Sequence, residues 1–67
     1  MTTLNINGES RKVNSGETLA DLLTAMELNP ERVVVAVNGK IVELAELKNF
    51  ILNDGDNLEL MSFVGGG

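Results

Sequence analysis

Thr18-Leu19-Ala20-Asp21-Leu22-Leu23-Thr24-Ala25-Met26 is the stretch on which the fold turns. Thr18 stands where a helix N-cap is expected, and Asp21 occupies the third helical position, the reciprocal place in a capping box. Such a cap is worth about 1 kcal/mol. Leu19, Leu22, Leu23 and Met26 fall at i, i+3, i+4 and i+7, which draws one apolar stripe along a helix. The helix is expected to end at Asn29-Pro30, because the residue before proline is pushed out of the helical region. No other stretch of the chain reads as a long helix. The stripe is therefore assigned to core packing rather than to a partner groove.

Working outward, the segments on either side read as strands. Thr3-Leu4-Asn5-Ile6-Asn7 alternates polar and apolar, the period of a half-buried strand, and Ser10-Arg11-Lys12-Val13 follows as its hairpin partner. A two-residue loop at Gly8-Glu9 sets Leu4 opposite Val13; a loop at Asn7-Gly8 sets Val13 opposite Thr2. The first register is preferred, because it matches apolar with apolar. Ser15-Gly16-Glu17 is a turn. On the far side, Val33-Val34-Val35-Ala36-Val37 is apolar throughout, the pattern of a strand covered on both faces or nearly so. Asn38-Gly39 is a strong hairpin signal and leads into Ile41-Val42. Leu44 to Phe50 reads weakly as a short helix or turn. Asn53-Asp54-Gly55-Asp56 is a further turn, and Asn57 to Val64 forms the last strand.

Two hairpins flanking one helix, with a final strand after a loop, predict an α+β roll: a mixed sheet of four to five strands packed on one main helix. The first and last strands are then expected as parallel neighbours at the sheet centre. Residues 1–64 form this domain, and 65–67 a flexible glycine tail.

Composition narrows the function. Sixty-seven residues make one small domain, and 43% hydrophobic content argues against disorder. With no cysteine and no histidine, the usual zinc site, an iron–sulfur cluster and a thiol nucleophile are excluded. No metal site is expected. A net charge of −5 with five scattered Lys and Arg residues makes nucleic acid a poor partner and basic protein surfaces a better one. The opening MTTLNINGES lacks the basic start and long apolar region of a signal peptide, and no segment is long enough to span a bilayer. No membrane partner is expected, and the cytoplasm is the expected compartment.

The sequence closes on Ser62-Phe63-Val64-Gly65-Gly66-Gly67. Three consecutive glycines at the end arise by chance in about 3 chains in ten thousand at average usage. Glycine loses the most conformational entropy on ordering, so the run is a poor finish to a fold and asks for a use. The plain alternatives are a frayed, solvated terminus and a linker appended for expression.

Taken together, the Asn7-Gly8-Glu9 turn, Gly16-Glu17-Thr18-Leu19 opening a Leu-rich helix, Val35-Ala36-Val37-Asn38-Gly39, Asp54-Gly55-Asp56 and the glycine end resemble the β-grasp, ubiquitin-like sulfur carriers. Among these the sequence is most similar to the ThiS family of thiamin thiazole synthesis, over the whole chain. Two departures stand out. There are three glycines where the family's minimum is two, and Glu43 follows the fourth strand where the family often has proline and then a basic residue.

The resemblance implies a carrier and not an enzyme, with no catalytic side chains and no cofactor of its own. Its reactive group is the α-carboxylate of Gly67, the one unusual functional group in a chain without Cys or His. That carboxylate must be activated, by adenylation, in a partner that uses ATP and Mg²⁺. The implied partners are an E1-like (ThiF-like) adenylating enzyme, a sulfur donor system and a ThiG-like thiazole synthase. Sulfur replaces AMP and leaves a thiocarboxylate on Gly67. Gly65 and Gly66 thread the partner's active site: three extended residues reach about 10 Å, and without Cβ the backbone approaches phosphates and walls closely. Met61, Phe63 and Val64 are expected to dock partners. By alternation Met61 and Phe63 fall on the face opposite Leu58 and Leu60, close to the tail.

Three other readings stay open at this point. The small subunit of molybdopterin synthase shares the tail chemistry, but those chains are usually longer and often carry proline shortly before the glycine pair. An interaction module with this fold and an idle tail is a second. An enzyme is the weakest, because Asp54 and Asp56, the one carboxylate pair resembling an acid–base dyad, sit with Asn53 and Gly55 in a turn.

Overall fold

The computed structural model describes residues 1–62. Phe63, Val64 and the three glycines, with the domain boundary expected after residue 64, lie outside the described residues. Strands β1 (Thr2–Ile6), β2 (Glu9–Val13), β3 (Val33–Val37), β4 (Lys40–Val42) and β5 (Asn57–Ser62) form one sheet, with helix α1 (Leu19–Ala25) between β2 and β3. Short 3₁₀ turns at Pro30–Arg32 and Leu44–Glu46 complete the chain order. The sheet order is β2-β1-β5-β3-β4. β1 and β5 pair in parallel at the centre, and the other pairings are antiparallel. This is the expected α+β roll, the β-grasp arrangement.

The helix forms for the reasons its sequence gives. Thr18 Oγ1 accepts from the Asp21 N–H at 3.2 Å, and Asp21 Oδ2 accepts from the Thr18 N–H at 3.0 Å, closing the capping box. Leu19, Leu22 and Leu23 are fully buried against Leu4, Val35 and Leu58 of the sheet. Burying each such side chain contributes about 1.5–3 kcal/mol. Met26 packs at the edge of this core.

Its end is not where proline predicts. The helix stops at Ala25, and Glu27 takes a left-handed conformation at φ 59°. The Leu28 N–H donates to the Leu23 carbonyl at 2.9 Å and the Glu27 N–H to the Thr24 carbonyl at 3.0 Å. That pair of bonds is a Schellman C-cap, here with glutamate where glycine is usual. Folding back returns Leu28 to the core beside Leu23. Asn29-Pro30 instead opens the 3₁₀ turn, with Asn29 Oδ1 accepting from the Glu31 N–H at 2.9 Å.

The first hairpin also departs from expectation. Thr2 pairs with Val13, Leu4 with Arg11 and Ile6 with Glu9, so the loop is Asn7-Gly8 and not Gly8-Glu9. Asn7 and Gly8 have φ of 51° and 87°, the signs of a type I′ turn, whose twist suits the flanking strands. Pairing apolar with apolar could not have decided the register. Both registers leave Val13 on the face of Leu4, where Thr2 is buried as well. Turn chemistry decides it.

β3 is a third correction. Val35 and Val37 are buried, but Val34 is 40% exposed and Ala36 only partly covered. Among the described residues nothing covers the second face of this strand; the valine run hides an ordinary one-sided strand. No helix among the described residues is long and apolar enough to cross a membrane.

Candidate functional site

The face of the sheet turned away from α1 divides in two. On its β1–β2 half the side chains are Thr3, Asn5, Ser10 and Lys12, all polar. On the other half, cross-strand pairing places Val34 beside Met61, and Ala36 between Ile41 and Glu59. Met61 is 72% exposed and Ile41 70% exposed. These side chains, with Asn7 at the rim, line a depression of about 300 Å³.

The alternation in β5 explains the placement. Leu58 is fully buried under the helix and Leu60 packs at the core's edge, so Glu59 and Met61 are driven to the other side. Met61 thus lies on the open face, where the sequence put it. Phe63, Val64, Gly65, Gly66 and Gly67 lie outside the described residues. Val34 and Ile41 escaped the sequence reading. The signal that could have found them is parity: residues 34 and 36 must face away from the core once Val35 and Val37 face it.

β5 is held at both ends by asparagines from hairpin turns. At its start, Asn38 Oδ1 accepts from the Asn57 N–H at 3.0 Å, and Asn38 Nδ2 donates to Asp56 Oδ1 at 3.1 Å. Asp56 Oδ2 also accepts from the Asn53 N–H at 2.9 Å. Near its end, Asn7 Oδ1 accepts from the Leu60 N–H at 2.9 Å and Asn7 Nδ2 donates to the Leu60 carbonyl at 3.1 Å. Asp54 Oδ1 accepts from the Thr3 N–H at 2.7 Å. The two aspartates are therefore engaged in fixing loops, as their turn composition predicts. They do not face each other as an acid–base pair. What the arrangement offers is a strand held by two asparagine side chains that carries part of an apolar surface.

Against known proteins, the ThiS family model matches residues 4–67. A thiazole synthase of Paramagnetospirillum magneticum is 38% identical over 62 residues, which are 92% of this chain but 19% of that protein. The chain spans about a fifth of the length of the thiazole synthases it matches. An uncharacterised protein of Pyropia yezoensis, ycf40, is 35% identical over 65 residues, covering 97% of this chain and 92% of its own length. The crystal structure of a thiamine biosynthesis protein, ThiS, from Geobacter metallireducens superposes with a TM-score of 0.83 at 30% identity, over 98% of this chain and all of that one. One helix grasped by a mixed five-stranded sheet, the ordered turn motifs and a family match that runs through the final glycines agree: the chain belongs to the ThiS family.

Proposed function

We propose that this protein carries sulfur for the thiazole ring of thiamin on the α-carboxylate of Gly67. A carboxylate is a weak acylating group, so the first step is attack by its oxygen on the α-phosphorus of ATP. That step releases pyrophosphate and leaves an acyl adenylate. A sulfur nucleophile then adds to the acyl carbon and AMP departs with the bonding electrons. With hydrosulfide as that nucleophile, loss of the S–H proton leaves the thiocarboxylate and no redox step is required. The adenylating partner supplies the nucleotide site, Mg²⁺ and stabilisation of the developing charge. Gly65 and Gly66 are the thread that reaches it.

The observation that carries this reading is the family match through residue 67, which includes the glycines as well as the folded body. The thiazole synthase relatives support the thiamin destination over the molybdopterin one, and a thiazole synthase as the acceptor. The apolar half of the open face, centred on Met61 with Val34 and Ile41, is the proposed docking surface. Its apolar centre suits interface anchoring, and the net charge of −5 suits a basic rim on the partner.

The test is intact-mass measurement after incubation with a ThiF-like adenylating enzyme, ATP, Mg²⁺ and sulfide. One oxygen exchanged for sulfur, confined to the C-terminal peptide, is the expected result. Modification on an internal side chain would falsify the carrier mechanism.

A further inference from the structure

β1 and β5 run parallel only as far as the pair Ile6 and Leu58. The Asn7 N–H donates to the Leu58 carbonyl at 2.9 Å, and then the left-handed φ of 51° at Asn7 turns the chain into the hairpin and away from β5. β5 continues for four more residues, paired on its other side with β3 as far as Val33 and Ser62. On the β1 side, the next backbone groups to face the gap are those of Leu60. They meet the side chain of Asn7, which accepts from the N–H and donates to the carbonyl. A carboxamide carries the same donor and acceptor as a peptide group. It stands in for the strand residue that the turn removes.

We propose that Asn7 is a positioning residue for the C-terminal segment: its carboxamide clamps Leu60 and fixes the course on which β5 leaves the sheet. With the clamp, β5 around residue 60 is held on both sides, by Asn7 at Leu60 and by the pairing of Glu59 and Met61 with β3. Without it, the last stretch of β5 hangs on β3 alone, and its direction spreads over several alternatives. A partner that threads the following residues into a narrow site binds only the fraction of molecules whose strand points correctly. Apparent affinity falls by that fraction. Once bound, the partner imposes the direction itself, so the loss is felt in KM and not in kcat. The bearing on loading rests on the carrier reading above; the clamp itself does not.

Asn7→Gly removes the clamp and keeps the left-handed turn, and Leu60 exchange in the free protein reads the clamp apart from any contact Asn7 makes at the rim of the open face. Two measurements decide the matter. In the first, amide hydrogen exchange of the intact protein, the Leu60 N–H is expected to exchange about fivefold faster or more in Asn7→Gly, while the Leu4 and Val35 amides keep their protection. In the second, loading by the adenylating enzyme with ATP, Mg²⁺ and sulfide, KM for the carrier is expected to rise about fivefold with kcat within about twofold, the factor that one or two exposed neutral hydrogen bonds supply. Asn7→Asp keeps the left-handed preference but sets an oxygen against the Leu60 carbonyl, and is expected to shift both readouts the same way. Val13→Ala loosens the same hairpin without touching β5 and is expected to leave KM at the wild-type value. Unchanged Leu60 exchange in Asn7→Gly overturns the proposal whether or not the protein loads. An unchanged KM overturns it too, as does an equal rise in Val13→Ala. Absence of loading in the wild-type chain overturns the carrier reading, and exchange alone then decides the clamp.

Discussion

Leu58 and Met61 lie three residues apart in β5 on opposite faces, and replacing each separates folding from docking. Leu58 is fully buried beneath α1, among Leu4, Leu22 and Val37. Leu58→Ala removes that packing and leaves a cavity, at a cost of about 2–5 kcal/mol. A domain of 67 residues has a total stability of roughly 3–10 kcal/mol, so this one change takes away a large part of it. Met61 is 72% exposed, and Met61→Glu exchanges few intramolecular contacts. Its expected effect on folding is within about 0.5 kcal/mol. On the proposed docking surface the same change puts a carboxylate beside Val34 in the apolar centre. Loss of an interface anchor commonly costs about 2 kcal/mol or more, a weakening of roughly thirtyfold. The assay pairs a urea melt with a binding titration against the adenylating enzyme. Leu58→Ala is expected to lower the midpoint sharply; at temperatures where it remains folded, binding is near normal. Met61→Glu is expected to keep the midpoint and lose the binding. If Met61→Glu binds as tightly as wild type, the open face is not the docking surface. If it unfolds, the assignment of Met61 to that face is wrong.

Three further changes test other parts of the structure. Glu27→Gly relieves the left-handed strain at the helix C-cap and is expected to add about 1 kcal/mol, raising Tm by about 4–8 °C in a scanning melt; an unchanged or lowered Tm contradicts the strain. Thr18→Ala removes the capping hydroxyl and is expected to cost about 1 kcal/mol by urea titration, whereas Thr18→Ser keeps most of the stability. Appending two residues after Gly67 is expected to leave Tm unchanged and abolish sulfur loading by mass spectrometry, and loading of the untrimmed extended protein excludes the Gly67 carboxylate as the acceptor.

The parts of the fold legible in the sequence are those where one local signal has no competitor. Thr18 and Asp21 define the helix start because two orphan N–H groups are satisfied by those side chains and nothing else nearby offers the same bonds. The stripe of Leu19, Leu22 and Leu23 admits one buried face. Misreadings arise where a second effect overrides the visible one. Proline at 30 is a strong stop, but the Leu28 N–H closes onto the Leu23 carbonyl first, and partial burial of Leu28 against the core offsets the modest cost of a left-handed Glu27. Glutamate carries no mark of that conformation. In β3, four valines signal β-propensity equally on both faces, so composition masks the parity that only the neighbouring strands reveal.

The candidate site was less legible because its parts act through the backbone of a distant strand. Asn7-Gly8 and Asn38-Gly39 both read as hairpin turns, and both are, with asparagine at φ 51° in each case. Their second use cannot be seen locally. Asn38 and Asn57 are 19 residues apart, and Asn7 and Leu60 are 53 apart. The left-handed conformation that makes asparagine suitable for the turn also ends the strand's backbone pairing there, and in both hairpins the freed carboxamide binds the backbone of β5. One clamp therefore sits where β5 begins and the other near where it leaves the sheet, on opposite sides of the same strand. Between them, Leu58 anchors the buried face and Glu59 stands exposed on the open one. On the carrier reading this arrangement is useful, because β5 is held by side chains that lie outside the buried core, with Asn7 at the rim, not the apolar centre, of the open face. The core can then be optimised for stability, and the open face varied, without either altering the course of β5 up to Ser62.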